Sequence, residues 1–597
     1  MNAKTKWAFL WIILLFGFHL SAQTMTVTGR VTDKSGVLPG ASIIVKSTRT
    51  GTVSDINGLY SIQAKKGDIL VFSFVGYQTQ EVIVIKSTHD VHMKEAEAQL
   101  DEVTIVAFGT QRKASVIGAV MQRSIPMQTE EYASFGENRF KNALDDPLST
   151  FSIDVDAASY SNMRRFVNQG QMPPKDAIRT EELVNYFSYN DTKPNGKDPV
   201  HITTEIGECP WNTSHRLVRI GIKAKEIESE HLPASNFVFL IDVSGSMFGP
   251  TRLDLVKSSL KLLVNNLREK DRVAIVVYAG AAGEVLPSTP GSDKQKIRDA
   301  LDGLTAGGST AGGAGIQLAY KIAKKNLVKD GNNRIILCTD GDFNVGVSSN
   351  KDLENLIEEE RKSGIFLTVL GYGMGNYKDS KMQTLAEKGN GNHAYIDNLQ
   401  EANRVLVQEF GSTMHTVAKD VKLQIEFNPG KVQSYRLIGY ESRLLNKEDF
   451  NDDTKDAGEI GAGHSIIAFY EVVPVGVQGP GSVDDLKYQS NTKNTKIKSQ
   501  SSDLLTVKLR YKRPDEGKSH KMEVAVIDNG KNNVSDDFRF AAAVAMFGQL
   551  LRKSDFKGDG SYEKVITLAE SGLGKDPKGY RREFVRIAET VKSLDND

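Results

Sequence analysis

Apolar and polar positions change places at short intervals through residues 24–95, in runs such as "TVTGRVTD", "ASIIVKS", "GLYSIQA", "DILVFSF" and "QEVIVIK". Runs of this length, broken by Gly, Asp and Asn, predict strands joined by tight turns and so a small all-β sandwich. From Asn236 the pattern switches. Near-continuous apolar strands ("FVFLID", "RVAIVVY", "RIILCTD", "IFLTVLGYG") alternate with helical stretches, and Val256, Leu260, Leu263 and Leu267 form one apolar face of the first helix. Strand–helix alternation of this kind predicts a mainly parallel sheet covered on both faces. Beyond about His415 the strand signal returns in "KLQIEFNP", "VQSYRLIGY", "SIIAFYEVV", "LLTVKLRYK" and "KMEVAVID", with a polar loop near 476–502. The chain then ends in helices, the first capped by Ser535. Before the α/β unit, Ser159 opens one helix, Thr180–Phe187 forms another, and "HITTEIGE" and "RLVRIGIK" read as strands. Those two strands are too few for a sheet alone. They are expected to pair with strands from 420–527, which makes the α/β unit an insertion in a β-sandwich.

Residues 1–22 break the globular pattern. Lys4 and Lys6 precede an apolar core from Trp7 to Leu20 and then small residues. This is the pattern of a secretory signal peptide, and its core is short for a membrane span. An exported chain with only two cysteines could join them, but Cys338 lies inside an apolar strand and is expected to pack there as a free thiol. Lys plus Arg equals Asp plus Glu at 75 each, so no basic excess favours nucleic acid.

The residues carry resemblances. The stretch from "TGRVTDKSGVLPGASIIVKS" to "VGYQTQEVIV" resembles the carboxypeptidase-regulatory-like domain, which implies a non-catalytic β-sandwich. Within it Asp55, Asn57 and Gly58 read as a tight turn, because the calcium-loop spacing fails after the glycine. "LDEVTIVAFGTQRKASVIGAV" resembles the segment that follows such domains in TonB-dependent outer-membrane receptors, including a TonB-box-like "DEVTIVAFG". No series of barrel strands follows, so the receptor function does not carry over. Residues 96–140 as a whole read as a flexible linker.

The chemistry gathers at strand ends. Asp242 closes "FVFLID", Ser244 and Ser246 follow it, Asp340 closes "RIILCTD", and Thr310 stands in the glycine-rich "AGGSTAGGAGI". Open α/β sheets bind ligands at the carboxyl ends of their strands. Hard oxygen donors collected there suit a small hard cation, Mg2+ above all, with Mn2+ or Ca2+ as alternatives. "DVSGSM", the threonine loop and "TDGD" are similar to the von Willebrand factor type A (VWA) domain and its metal-ion-dependent adhesion site. The resemblance implies that Ser244 and Ser246 ligate directly, and Thr310 when a ligand is present. Asp242 and Asp340 would act largely through water, with Asp342 a candidate for the outer shell. Further stretches, among them "FSIDVDAASYSNMRRFVNQGQMPPKDAIRTEELVNYFSY" and "LIGYESRLL", resemble one group of exported bacterial VWA proteins whose flanks have no assigned role.

The expected organisation is a signal peptide (1–22), a carboxypeptidase-regulatory-like β-sandwich (24–95), a linker with the TonB-box-like segment (96–140), an amino-terminal VWA-associated region (141–235), a doubly wound VWA domain (236–415), and a carboxy-terminal associated region, β then helical (416–597). No GxxxxGK[ST], HExxH or GxSxG pattern stands at the site, "GYGMGN" fails the GxGxxG spacing and reads as a turn, and His393 reads as a surface or strand-edge histidine. The expected function is a non-enzymatic adhesion or binding protein of the periplasm or outer-membrane surface that captures a carboxylate of a protein partner. The alternatives are an accessory of TonB-linked transport acting through residues 101–120, and a metal-dependent hydrolase.

Overall fold

The computed structural model describes residues 24–94 and 130–595, apart from internal positions 35, 39–40, 49–50, 56, 75–76, 229–231, 280–281, 308–311, 342–349, 410–414, 456, 478, 480–500 and 515. The signal-peptide, TonB-box-like and polar-loop readings at 1–22, 101–120 and 480–500 lie outside the described residues, as do Thr310 and Asp342. The chain divides at Val116 into two compact units, each described by itself.

The first unit is the expected sandwich. Strands Thr24–Asp33 and Leu59–Lys65 pair antiparallel in one sheet, and Ser42–Val45, Ile69–Ser73 and Gln80–Ile83 in the other. Their alternate residues, among them Val27, Val31, Ile43, Ile62, Leu70 and Phe72, meet in one core. Asp55 belongs to a turn: its Oδ1 accepts from the backbone N–H of Asn57 (2.9 Å) and Leu59 (2.7 Å). With that oxygen occupied by backbone donors, the tight-turn reading stands over a calcium loop.

In the second unit, "HITTEIGE" and "RLVRIGIK" become Val200–Glu208 and Arg216–Ala224. They lead a sheet of order Val200–Glu208, Arg216–Ala224, Ser465–Pro474, Val432–Ile438, Lys141–Asn142. The predicted pairing across the insertion is therefore present, from Arg216 opposite Val472 to Lys223 opposite Ser465. A second sheet joins Leu148–Ser152, Thr416–Phe427, Leu505–Lys512 and Ser519–Val526. Val218, Ile220 and Ile222 from the first sheet meet Leu423, Ile425, Val507 and Leu509 from the second in the sandwich core.

The expected carboxy-terminal helices form a third layer. Asp536–Leu551, Tyr562–Ser571 and Tyr580–Asp595 share a core with helix Ala158–Asn168 and with Leu217, Ile467 and Phe469 from the outer face of the first sheet. Ser535 caps the first of these helices through its hydroxyl to Phe538 N–H.

The inserted unit is a six-stranded sheet of order Ala282–Pro290, Arg272–Tyr278, Ser235–Asp242, Asn332–Thr339, Ile365–Gly371, His393–Tyr395. All neighbours are parallel except the Ala282–Pro290 edge. The central strand alternates: Phe237, Phe239 and Ile241 face helix Leu253–Asn265, whereas Val238 and Leu240 face helix Gly312–Lys325. Cys338 packs on this sheet and Cys209 in the helical layer, both as buried free thiols. His393 stands on the edge strand, one of its two expected placements, and is buried there rather than at the surface, with its Nε2 2.9 Å from the Tyr377 hydroxyl, because helix Ala158–Asn168 covers that edge.

The linker also ends earlier than expected. From Glu130 onward the chain is docked: Asn138 donates its side-chain amide to the Leu437 and Gly439 carbonyls, and Phe140 packs edge-on to His215 and Phe556. Aromatic side chains and amides of this kind find partners only in the folded context, so the local charge pattern did not reveal them.

Buried ion pairs join the insertion to its surroundings. Arg164, 1% exposed, reaches Asp397 at 2.6 Å, Glu401 at 2.8 Å and Glu583 at 3.1 Å. Removing one member of such a group strands the others without water or partner. Arg164→Ala is expected to destabilise the second unit by about 3–5 kcal/mol, read as a lower urea midpoint; a loss below about 1 kcal/mol would show that the acids find other partners.

Candidate metal centre

Asp242 ends the central strand, where the parallel sheet turns from one direction of winding to the other: Arg272–Tyr278 lies on one side and Asn332–Thr339 on the other. This is the crevice where open α/β sheets take ligands. Asp242 is fully buried and Ser244 nearly so. The Asp242 Oδ1 accepts from the Ser244 N–H at 2.9 Å, which bends the chain so that the Ser244 and Ser246 hydroxyls converge to 3.0 Å. Arg252 holds the same loop from below, donating to the Ser246 carbonyl at 2.6 Å.

Asp340 follows the neighbouring strand and is also fully buried. Gly341 then turns the chain at φ +89°, where a Cβ would stand 2.6 Å from the Lys378 backbone nitrogen, so a side chain is excluded on both counts. Thr339 Oγ1 donates to Asp242 Oδ2 at 3.3 Å and accepts from Gly341 N–H at 3.1 Å, tying the two strand ends together. Thus the structure brings together Asp242, Ser244, Ser246 and Asp340. The described flanks of Thr310 reach the same edge: Gly307 N–H donates to the Val243 carbonyl at 2.7 Å, and Gly315, in the helix that follows, packs against Tyr278 beside Asp242.

Two residues were missed in the sequence. Asn376 donates its side-chain amide to Asp340 Oδ2 at 3.0 Å and accepts from Arg252 at 3.1 Å. It belongs to "GYGMGN", a turn as its spacing predicts; an asparagine in a glycine turn announces no partner across the sheet. A threonine ending a strand is ordinary, so Thr339 carries no signal of its role in the sequence.

The donor set decides what could sit here. Among the described residues no group of three or more His, Cys, Asp or Glu side chains is placed to hold a metal. A cation at this site would draw on hydroxyls. Two buried carboxylates close enough to repel, approached by hydroxyl and amide donors, fit a hard divalent cation. The Asp242 carboxyl, ordinarily near 3.8, is pushed up to about 6, chiefly by burial, with Asp340 adding and the Ser244 donors opposing.

A doubly wound sheet with Asp-x-Ser-x-Ser beyond its central strand defines a VWA domain. Residues 236–409 match the family model of the von Willebrand factor type A domain, and residues 126–219 one described as von Willebrand factor. Residues 27–105 match the CarboxypepD_reg-like domain, and residues 412–594 the C-terminal region of the uncharacterized protein YfbK. The chain is 47% identical over 473 residues to the uncharacterized protein YfbK of Escherichia coli (strain K12), covering 78% of this chain and 82% of that one. It belongs to the YfbK family. Its amino-terminal part is 40% identical over 115 residues to the TonB-dependent receptor SusC of Bacteroides thetaiotaomicron, covering 18% of this chain and 11% of the receptor. The chain therefore spans about a tenth of the receptors it matches. A solved von Willebrand factor type A structure from Catenulispora acidiphila is 18% identical, covering 65% of this chain and 89% of that one with a TM-score of 0.35. The VWA domain points to a protein-interaction role. Among the described residues no helix is long and apolar enough to cross a membrane.

The raised Asp242 carboxyl has a consequence for the metal-free protein. Between about pH 4 and about pH 6 the folded state holds a proton that the unfolded chain has released, so this group's contribution to stability is lost as pH rises through that window. In EDTA, Asp242→Asn is expected to be more stable than wild type above about pH 6, by on the order of 3 kcal/mol, with the gap closing toward about pH 4. Urea unfolding at both pH values measures it, and a pH-independent gap would contradict it.

Proposed function

We propose that this chain is an exported, non-enzymatic binding protein of the cell envelope, whose VWA domain holds one divalent cation, Mg2+ in the first instance, and captures a carboxylate of a protein partner. The observation that carries the reading is the convergence of the Ser244 and Ser246 hydroxyls beside buried Asp242 and Asp340. Ser244, Ser246 and Thr310 would ligate through neutral oxygens, and Asp242 and Asp340 would act largely through water, with Asp342 beyond them. Neutral ligands leave a bound cation much of its charge, which is what an acidic partner group would meet. Arg252 and Asn376 hold the hydroxyl loop and Asp340 in place, so the chain's own part is to present oxygens and keep them apart from bulk water.

The signal-peptide pattern at 1–22 and the receptor-like amino-terminal part support placement in the periplasm or at the outer-membrane surface. They also support a second reading, in which residues 101–120 engage TonB-linked transport components. The two differ in where binding resides. Asp242→Ala is expected to abolish Mn2+ uptake and metal-dependent capture of envelope proteins while preserving the fold, and Ser244→Ala to weaken both by about tenfold or more. Elemental analysis and pull-down from the native envelope with and without EDTA check this. Wild-type protein that takes up no divalent ion, or captures partners equally in EDTA, contradicts the metal-site reading. Capture that survives EDTA and disappears on deleting 101–120 supports the transport reading.

A further inference from the structure

The segment that leads into the second unit is bonded to the loop behind the metal centre. Glu130 is the first described residue after Lys94, and its side chain is 6% exposed. Its Oε1 accepts from the Gly375 N–H at 2.7 Å and from Arg165 Nη1 at 3.0 Å. Its Oε2 accepts from Arg165 Nη2 at 2.7 Å and from the Tyr132 hydroxyl at 2.8 Å. The contact continues along the chain. Glu131 N–H donates to the Tyr377 carbonyl at 3.0 Å, Asp379 N–H donates to the Glu131 carbonyl at 3.1 Å, and the Tyr132 ring lies against Tyr377.

The loop on the other side of this contact is held at each of its residues. The Tyr395 hydroxyl donates to the Gly373 carbonyl and Arg252 to the Met374 carbonyl. Glu130 takes the Gly375 N–H, and Asn376 spans Arg252 and Asp340. Tyr395 and Arg252 belong to the VWA domain; Glu130 comes from the chain that precedes it. Gly373 and Gly375 have φ of +76° and +92°. Glycines at such angles have many other conformations open to them, so the native path of this loop depends on what holds it. An ionised carboxylate accepting several hydrogen bonds away from water is a strong hold, and its loss leaves the Gly375 N–H and Arg165 without that partner.

We propose that Glu130 is a positioning residue for the metal centre, acting through Gly375 and Asn376 on Asp340, so that whatever detaches Glu130–Tyr132 weakens divalent-ion binding. The inference rests on the metal-site reading above. An acid that acts on a cation through water does so by its position, and partners that set that position are worth large factors in affinity.

The test uses the full chain and Mn2+ as probe, titrated by electron paramagnetic resonance. Asn376→Ala is expected to weaken Mn2+ binding by about tenfold, and Glu130→Ala by roughly three- to tenfold. Glu130→Gln keeps an acceptor for Gly375 and recovers most of the affinity. Glu583→Gln, which disturbs the Arg164 ion pairs away from the site, lowers the thermal midpoint and leaves Mn2+ affinity as in wild type. In EDTA, hydrogen exchange at 373–377 quickens in Glu130→Ala. Unchanged Mn2+ affinity in Glu130→Ala overturns the inference while the metal site stands. So does equal weakening in Glu130→Gln or Glu583→Gln, which reduces Glu130 to a structural contact. Wild-type protein that binds no Mn2+ overturns the site reading and this inference with it.

Discussion

The second unit depends on one antiparallel pairing, in which Arg216–Lys223 lies against Ser465–Val472 across a separation of some 250 residues in sequence. Everything between Ala224 and Thr416 is an excursion from that sheet. Both ends of the excursion are tied to the same turn. Gly463 N–H donates to the Lys225 carbonyl at 2.9 Å, and Ala462 N–H to the His415 carbonyl at 2.8 Å. With entry and exit this close, a whole domain can be housed without disturbing the sandwich. The paired sheet is covered on both faces, by the second sheet and by the helical layer, which explains why "RLVRIGIK" is buried almost throughout.

A domain joined at one place could swing. Here arginines of the surrounding body hold acids of the VWA domain: Arg164 with Asp397 and Glu401, Arg179 with Asp379, Arg443 with Glu387. Arg164, Arg179, Asp397, Glu401 and Asp379 are all nearly sealed from solvent. Buried ion pairs add little net stability, because desolvation offsets their attraction, but a mispaired guanidinium is expensive. Their consequence is a single orientation of the VWA domain on its support, with the planar Arg fork setting direction as well as distance. Arg165, one residue along the same helix, extends the same arrangement to Glu130 and so to the loop behind the candidate metal centre.

The candidate centre is built differently. Asp242 and Asp340 are both buried, and their contacts include the Ser244 N–H, the Thr339 hydroxyl and the Asn376 amide. These neutral donors fix the two carboxylates in position at the strand ends, whereas the acids at the seam of the domain meet guanidinium groups.

Much of this was legible in local pattern. The strands of both sandwiches, the parallel sheet, the insertion and the Asp-x-Ser-x-Ser loop follow from periodicity and from small polar residues placed after an apolar run, because strand propensity and loop chemistry act between near neighbours. The free thiol of Cys338 and the Ser535 cap were visible for the same reason. What the pattern could not carry was partnership between residues far apart in sequence. His393 is buried because a helix more than 200 residues earlier covers its edge, Asn376 matters because Asp340 stands across from it, and residues 130–140 are docked because the folded surface offers them carbonyl acceptors and rings. By itself the sequence determined which segments become strands and helices and which oxygens stand at the strand ends. Only the tertiary structure decided which buried charges meet and which strand ends stand side by side, since burial and pairing are properties of the assembled chain rather than of any window along it.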